Sequence, residues 1–214
     1  MIRILRFTLL SLLIILTSCG IRIGTGAPSD AGIGQIIDNI QAARGRNTPE
    51  ATNEGQITRA RINSISQKLI RVEFTKYGIA PLMTQVASRQ GFDTYLSTGE
   101  QTITLKDGRV SHTRGLPFDL LESDFGNDSA RKYRFLRADN AVTELTASCT
   151  RQRAGQETIE IVERRYSTTL IEETCTSPAV VFTNRYWVDG SGIIWKSEQW
   201  LGPTHGFAII QKLN

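Results

Sequence analysis

Histidine, cysteine, methionine and proline are scarce in this chain: two, three, two and six among 214 residues. The two histidines, His112 and His205, lie in no His-x-x-x-His spacing, and zinc sites draw on three or four protein ligands, so no metal centre is expected. No Cys-x-x-Cys pair and no cysteine beside a histidine is present, which argues against a reactive thiol. No Gly-x-Ser-x-Gly elbow exposes a serine, so a Ser-His-Asp reading through Ser197, His205 and Asp189 has little to stand on. No apolar run approaches the roughly 20 residues that a spanning helix needs. No fixed-period repeat marks a solenoid. Charge of one sign is also lacking: 25 basic residues face 21 acidic ones. That balance excludes a nucleic-acid partner, which calls for a strong basic surplus on one face.

What is present begins with an address. Arg3 and Arg6 precede an apolar run from Phe7 to Leu16, broken only by Thr8 and Ser11. A basic start, a short apolar core and small residues at its end describe a secretory signal. Directly after Leu16-Thr17-Ser18 comes Cys19, the arrangement of a bacterial lipobox. In a lipobox the thiol accepts a diacylglycerol and becomes the first residue after cleavage. Acyl chains contribute about 0.8 kcal/mol per buried methylene, so several of them hold a protein at a bilayer. Gly20 stands where an aspartate commonly marks inner-membrane retention, which points to the outer membrane. Three segments follow: residues 1–18 as signal peptide, 19–56 as acylated cysteine and flexible tether, and 57–214 as a folded domain. Without Arg3 and Arg6 the formal net charge falls from +4 to +2.

Cys149 and Cys175 remain, an even pair in an oxidising compartment, and a disulfide between them is expected. Small and turn-forming residues dominate 20–34, a leash. Ile33, Ile36, Ile37 and Ile40 fit a short helix over 33–44, and Ile57, Ala60, Ile62, Ile65 and Leu69 fit a second over 57–69. The period then changes to two. Ile70, Val72 and Phe74 alternate with polar residues, and 83–88 and 94–98 read as further strands. Asp107-Gly108 between 101–105 and 109–113 is a strong hairpin signal. Residues 116–125, with Asp119, Glu122 and Asp124 beside Leu120 and Leu121, read as a short helical turn. Strands follow at 133–138, 142–151, 158–166 and 168–174. A long hairpin over 179–201 turns at Asp189-Gly190-Ser191-Gly192, and 207–213 closes the chain. Ten or eleven short strands with tight turns mean a mainly β fold, an antiparallel barrel or barrel-like sandwich led by one or two short helices.

Several of these pieces together resemble one family. They are the lipobox, Leu69-Ile70-Arg71-Val72-Glu73, Ile103 to Val110, Thr113-Arg114-Gly115-Leu116 with Asp119-Leu120, and Tyr186-Trp187-Val188-Asp189 to Gln199-Trp200. The chain resembles the YjbF/GfcB family of group 4 capsule lipoproteins over roughly 57–214. Pro117-Phe118 departs from the smaller, glycine-containing step expected there. The resemblance implies an outer-membrane lipoprotein with a barrel-like domain, acting in exopolysaccharide or capsule export. It implies no catalytic residue and no cofactor. The expected partners are the membrane, through Cys19, and envelope polysaccharide-export proteins, among them an outer-membrane β-barrel; the polysaccharide itself is a further candidate.

An alternative is direct carbohydrate binding by the C-terminal hairpin. Tyr186, Trp187, Trp195 and Trp200 lie on it, and sugars pack their C–H faces on aromatic rings. Strand parity sets Tyr186 opposite Trp187 and Trp195 opposite Trp200, so at least one ring fills the core while another can be displayed. Arg114, with Arg71, Arg109 and Arg185, offers bidentate contacts to an anionic polymer. A third reading, a polysaccharide hydrolase or lyase, would need two carboxylates at a fixed separation, one with a raised pKa. Nothing in the Asp119-Glu122-Asp124 cluster shows either.

Overall fold

The computed structural model describes residues 57–124 and 129–214. The lipobox, the tether and the helix expected over 33–44 lie outside them. The fold is nearly all β. Its elements are a five-residue helix α1 (Arg59–Asn63), then β1 (Leu69–Phe74), β2 (Leu82–Arg89), β3 (Phe92–Ser97), β4 (Thr102–Lys106), β5 (Arg109–Arg114) and β6 (Leu120–Asp124). They continue with β7 (Ala130–Leu136), β8 (Val142–Ile161), β9 (Arg164–Thr176), β10 (Val181–Val188), β11 (Ile194–Trp200) and β12 (Phe207–Lys212). All twelve strands form one antiparallel sheet in the order β5-β4-β3-β2-β1-β12-β11-β10-β9-β8-β7-β6. Only the β1–β12 pairing joins strands that are distant in sequence; every other neighbour is a hairpin.

The sheet curls until its two edges, β5 and β6, meet as a nearly closed barrel. The join is made by side chains. Asp119 accepts hydrogen bonds from the backbone N–H groups of Gly115 and Leu116 and from the Thr113 hydroxyl, and Thr113 Oγ1 accepts from the Leu120 N–H. The Thr-Arg-Gly-Leu…Asp-Leu motif is therefore the seam of the barrel. Lower down β5, Gln199 on β11 reaches across the interior, accepting from the Val110 N–H at 2.8 Å and donating to the Gly108 carbonyl at 3.1 Å. An open sheet edge invites foreign strands, and these contacts occupy it.

The interior is apolar at both levels of the seam. Ile70, Val72 and Phe74 of β1 meet Met83, Ile103, Leu120, Tyr133, Phe135, Phe182, Trp200 and Ile210. Cys149 and Cys175 sit opposite one another in the β8–β9 ladder and are joined by the expected disulfide. One charged layer interrupts this core. The registers Arg151↔Glu173 and Asn184↔Glu173 place three polar residues in a row across β8, β9 and β10. Glu173, fully buried, accepts from Arg131, from Arg151 at 2.9 and 3.1 Å, from Asn184 at 3.0 Å and from the Tyr186 hydroxyl at 3.3 Å. Burial alone would raise its pKa; the Asn184 bond and the two guanidiniums outweigh it and hold the carboxyl below its ordinary value.

The chain departs from the expected elements in four places. The second helix covers Arg59–Asn63, not 57–69: Thr58 caps its start, Ser64 ends it, and Leu69 already belongs to β1. Residues 116–124, the described part of the expected helical turn, are not helical. Asp119 locks a loop, then β6 pairs with β7, with Leu120 buried inside and Leu121 on the opposite face. The expected break at 151–158 is absent, because β8 runs unbroken for 20 residues. A bulge between Arg153 and Gly155 swaps the faces of its later residues. Finally, 158–166 is not one strand: the chain reverses at Val162-Glu163, whose φ values are 42° and 61°. Among the described residues the strand total is therefore twelve, above the expected ten or eleven.

A β-branched residue at positive φ is costly and needs its surroundings to enforce it. Arg59 does so. Its guanidinium donates to the carbonyls of Val162 (3.0 Å), Leu213 and Ile161, and its backbone N–H donates to Glu163. A second apolar cluster of Ile62, Leu69, Ile161, Tyr166 and Leu213 forms beneath this clamp. Helix, hairpin tip and final residues thus cap the barrel end at which the described chain both starts and stops.

Candidate functional site

Beside that cap the barrel interior opens into a cavity of about 290 Å³, near the lower limit of small-molecule sites. Its floor is the top of the packed core: Ile70, Leu105 and Ile210. Two tight turns form the rim. Asp107-Gly108 joins β4 to β5 with both residues at positive φ (50° and 79°), the conformation for which Asp-Gly is suited. Asp189 to Gly192 joins β10 to β11. There Asp189 Oδ1 accepts from the Ser191 N–H, the Ser191 hydroxyl and the Ile193 N–H, and Oδ2 accepts from the Trp195 indole at 2.7 Å. Those bonds, the Ser191 and Trp195 side chains first, draw its pKa down to about 2. The turn thereby fixes Trp195, which stacks on Tyr166 with ring centroids 4.1 Å apart and lines the cavity.

The walls carry the chemistry. Asp93 and Tyr95 lie two apart on β3 and share a face. Asp93 Oδ1 is held by Gln85 at 2.8 Å and Ser88 at 2.6 Å. Tyr95 is 3% exposed, and among the described residues its hydroxyl has no hydrogen-bond partner. Burial, aided by Asp93, pushes its pKa up to about 12, so it remains a donor. Lys212 ends the inward row Ala208-Ile210-Lys212 of β12. Its ammonium stands 5.8 Å from the Trp195 ring centroid and forms no ion pair among the described residues. Burial lowers its pKa, and Lys68 adds to that, against Asp93 and Asp189.

The residues expected on the hairpin separate sharply. Trp200 is core, stacked on Phe182 at 4.2 Å with Tyr133 and Phe135 edge-on. Tyr186 is buried in the Glu173 layer. Trp187 is buried too, its indole on Glu157 at 2.6 Å and Lys196 above its ring at 4.5 Å. Of the four aromatics only Trp195 borders the cavity just described. Arg114 stands elsewhere, on an outer groove of the seam with His112, Phe92 and Leu121. Arg71, Arg109, Arg114 and Arg185 do not converge: Arg185 is paired with Glu172 and Glu198, while Arg109 lies near the Glu173 layer.

His205 is buried at the opposite end of the barrel. Its Nδ1 meets the Tyr77 hydroxyl at 2.9 Å and its Nε2 meets the Phe118 carbonyl at 3.1 Å. Both ring nitrogens are occupied, and Ser197 and Asp189 bond other groups, so no triad is assembled. Asp93, Tyr95 and Lys212 escaped the sequence reading. One signal was available: a lysine continuing the inward alternation of the last strand.

A family model described as group 4 capsule polysaccharide lipoprotein gfcB, YjbF matches residues 38–213. Among solved structures, the hypothetical lipoprotein YmcC from Escherichia coli superposes with a TM-score of 0.68 at 22% identity, covering 83% of this chain and 95% of that one. An exported protein with a YmcC-like fold from Bacteroides fragilis aligns at TM-score 0.35 and 12% identity, over 69% of this chain and 93% of that one. No curated protein matches the chain.

Proposed function

Because the chain belongs to the YjbF family of group 4 capsule polysaccharide lipoproteins, we propose that it is a non-enzymatic accessory factor in the assembly or export of an extracellular polysaccharide. In this reading Cys19 carries the lipid, the outer membrane holds the anchor, and the barrel works on the periplasmic face. The family match over 38–213 carries the proposal. The signal-like start and Leu-Thr-Ser-Cys at 16–19 support the anchor.

Contact with other export proteins is supported by the barrel end remote from the cap. Tyr77, Ile79, Phe118 and Val142 are each 38–46% exposed there. An apolar cleft of about 240 Å³ lies beside them, between Phe118, Phe135 and Pro203. Grouped exposed apolar side chains mark interaction sites more often than chance surface. Deleting the gene should reduce surface polymer, and palmitate labelling should mark the wild-type protein and not Cys19→Ser. Unchanged polymer in the deletion strain would overturn the role, and an unlabelled wild type would overturn the anchor.

A further inference from the structure

We infer that the cavity beside the cap binds the terminal residue of a neutral sugar chain, an assignment that rests on the polysaccharide role proposed above. Three observations lead there. First, the cavity combines an apolar floor (Ile70, Leu105, Ile210) and an aromatic wall (Trp195) with converging polar groups. A pyranose has the same division, C–H faces against a belt of hydroxyls. Second, the polar groups are of both kinds. Asp93 and Asp107 accept from hydroxyls, while Lys212 and the Tyr95 hydroxyl donate to hydroxyl or ring oxygens. Tyr95 contributes most: the residue is 3% exposed, it lines the cavity, and its hydroxyl, without a partner among the described residues, is open to the cavity and not sealed in the core. A donor left open at the wall of a cavity is completed by water or by a ligand. Third, Trp195 is held in place before any ligand arrives, by Asp189 at its indole nitrogen and by Tyr166 on its face. Preorganised rings bind with less loss of conformational freedom.

Charge narrows the class. Three carboxylates, Asp93, Asp107 and Asp189, stand in or beside the cavity against two ammoniums, Lys212 and Lys68. A uronic acid would bring a further negative charge into this surplus, so the fit is to an uncharged residue. Shape narrows it further. The cavity stops at the packed core, so a chain cannot thread through it, and only an end can enter. The site reads chain termini.

The test titrates the full-length protein, in a detergent without sugar headgroups, with D-glucose, D-galactose, D-mannose, N-acetyl-D-glucosamine and D-glucuronate. Tryptophan emission and saturation-transfer NMR are read together. At least one neutral sugar should give saturable binding in the millimolar range. Tyr95→Phe and Lys212→Met should each weaken it about fivefold, the size of one lost hydrogen bond, with thermal midpoints unchanged. Tyr95→Phe removes one oxygen and Lys212 is only half-buried, so folding is preserved in both. Glucuronate should bind at least about tenfold more weakly than the best neutral sugar, as expected for one unfavourable charge. Absence of neutral-sugar binding up to about 50 mM, equal affinity in both variants, or tighter binding of glucuronate would each overturn the assignment. If no sugar binds but deletion still lowers surface polymer, the site is wrong and the accessory role stands. If sugar binds and deletion changes nothing, the role is wrong and the site stands.

Discussion

Replacing Glu173 by glutamine tests what holds the barrel interior together. The carboxylate is fully buried and accepts hydrogen bonds from Arg131, Arg151, Asn184 and Tyr186. Glutamine keeps the volume but turns one acceptor oxygen into a donor facing other donors, and removes the charge opposite two guanidiniums. Breaking a buried ion pair from one side costs about 3–5 kcal/mol. The Arg151 side chain is 30% exposed, so water screens part of the loss, and the lower figure, about 3 kcal/mol, applies. For a domain of this size that is a fall of about 6–12 °C in melting temperature. Near-UV circular dichroism with the disulfide intact measures it. The pH dependence supplies a second reading. Glu173 has a lowered folded pKa, so its contribution is present above the ordinary carboxylate value and is lost as pH falls through the folded value. The deficit of Glu173→Gln should therefore be full at pH 7 and shrink on acidification below about 4.5. Adding Arg131→Met should recover part of the loss, because the two residues share one network. A fall of under 2 °C at neutral pH, or a deficit that grows in acid, would refute this account of the layer.

Asp119→Ala removes three hydrogen bonds from the seam, of which two come from backbone N–H groups; the urea midpoint should drop by the equivalent of about 2–3 kcal/mol, and amide exchange should speed up at Gly115, Leu116 and Leu120. Cys149 and Cys175 are both buried, so dithiothreitol should leave the native bridge intact and reduce it only in denaturant, after which stability should be lower by about 3 kcal/mol, the cost for a loop of this length. Gly202→Ala places a Cβ 2.7 Å from Phe135 Cε1 at a backbone φ of +114°; it should destabilise by about 2–3 kcal/mol and weaken the near-UV signal of the Phe135–Trp200 pair.

The hairpins were legible where the turn chemistry is local. Asp107-Gly108 and Asp189 to Gly192 announce themselves, because only a few residue types accept the backbone those turns need. Val162-Glu163 gives no such sign. Its positive φ values are imposed by Arg59, a hundred residues earlier, and a contact at that separation leaves no mark on the local pattern. The β8 arm was hidden for a different reason: residues 150–158 are exposed on both faces, so no hydrophobic alternation reports the strand. The adjacent leucines of β6 imitated a helical face, although one points in and the other out. In the site, parity put Trp195 and Trp200 on opposite faces, yet Trp200 fills the core and Trp195 borders the interior cavity. The ladder slips between Trp187 and Val188, opposite Trp195, and Trp200 gives its backbone N–H to the Asn184 side chain, so simple alternation does not carry through the strand.

The Arg59 clamp has a mechanical meaning. Any pull on the polypeptide ahead of residue 57 reaches Arg59 before it reaches the sheet, and Arg59 passes the load to the β8–β9 tip and to the last residues of the chain. Beyond it, β1 is flanked by β2 and β12, so tension directed along that strand is shared by two ladders at once. Tension from that side would thus load the Arg59 bonds first and the doubly paired strand after them, in shear.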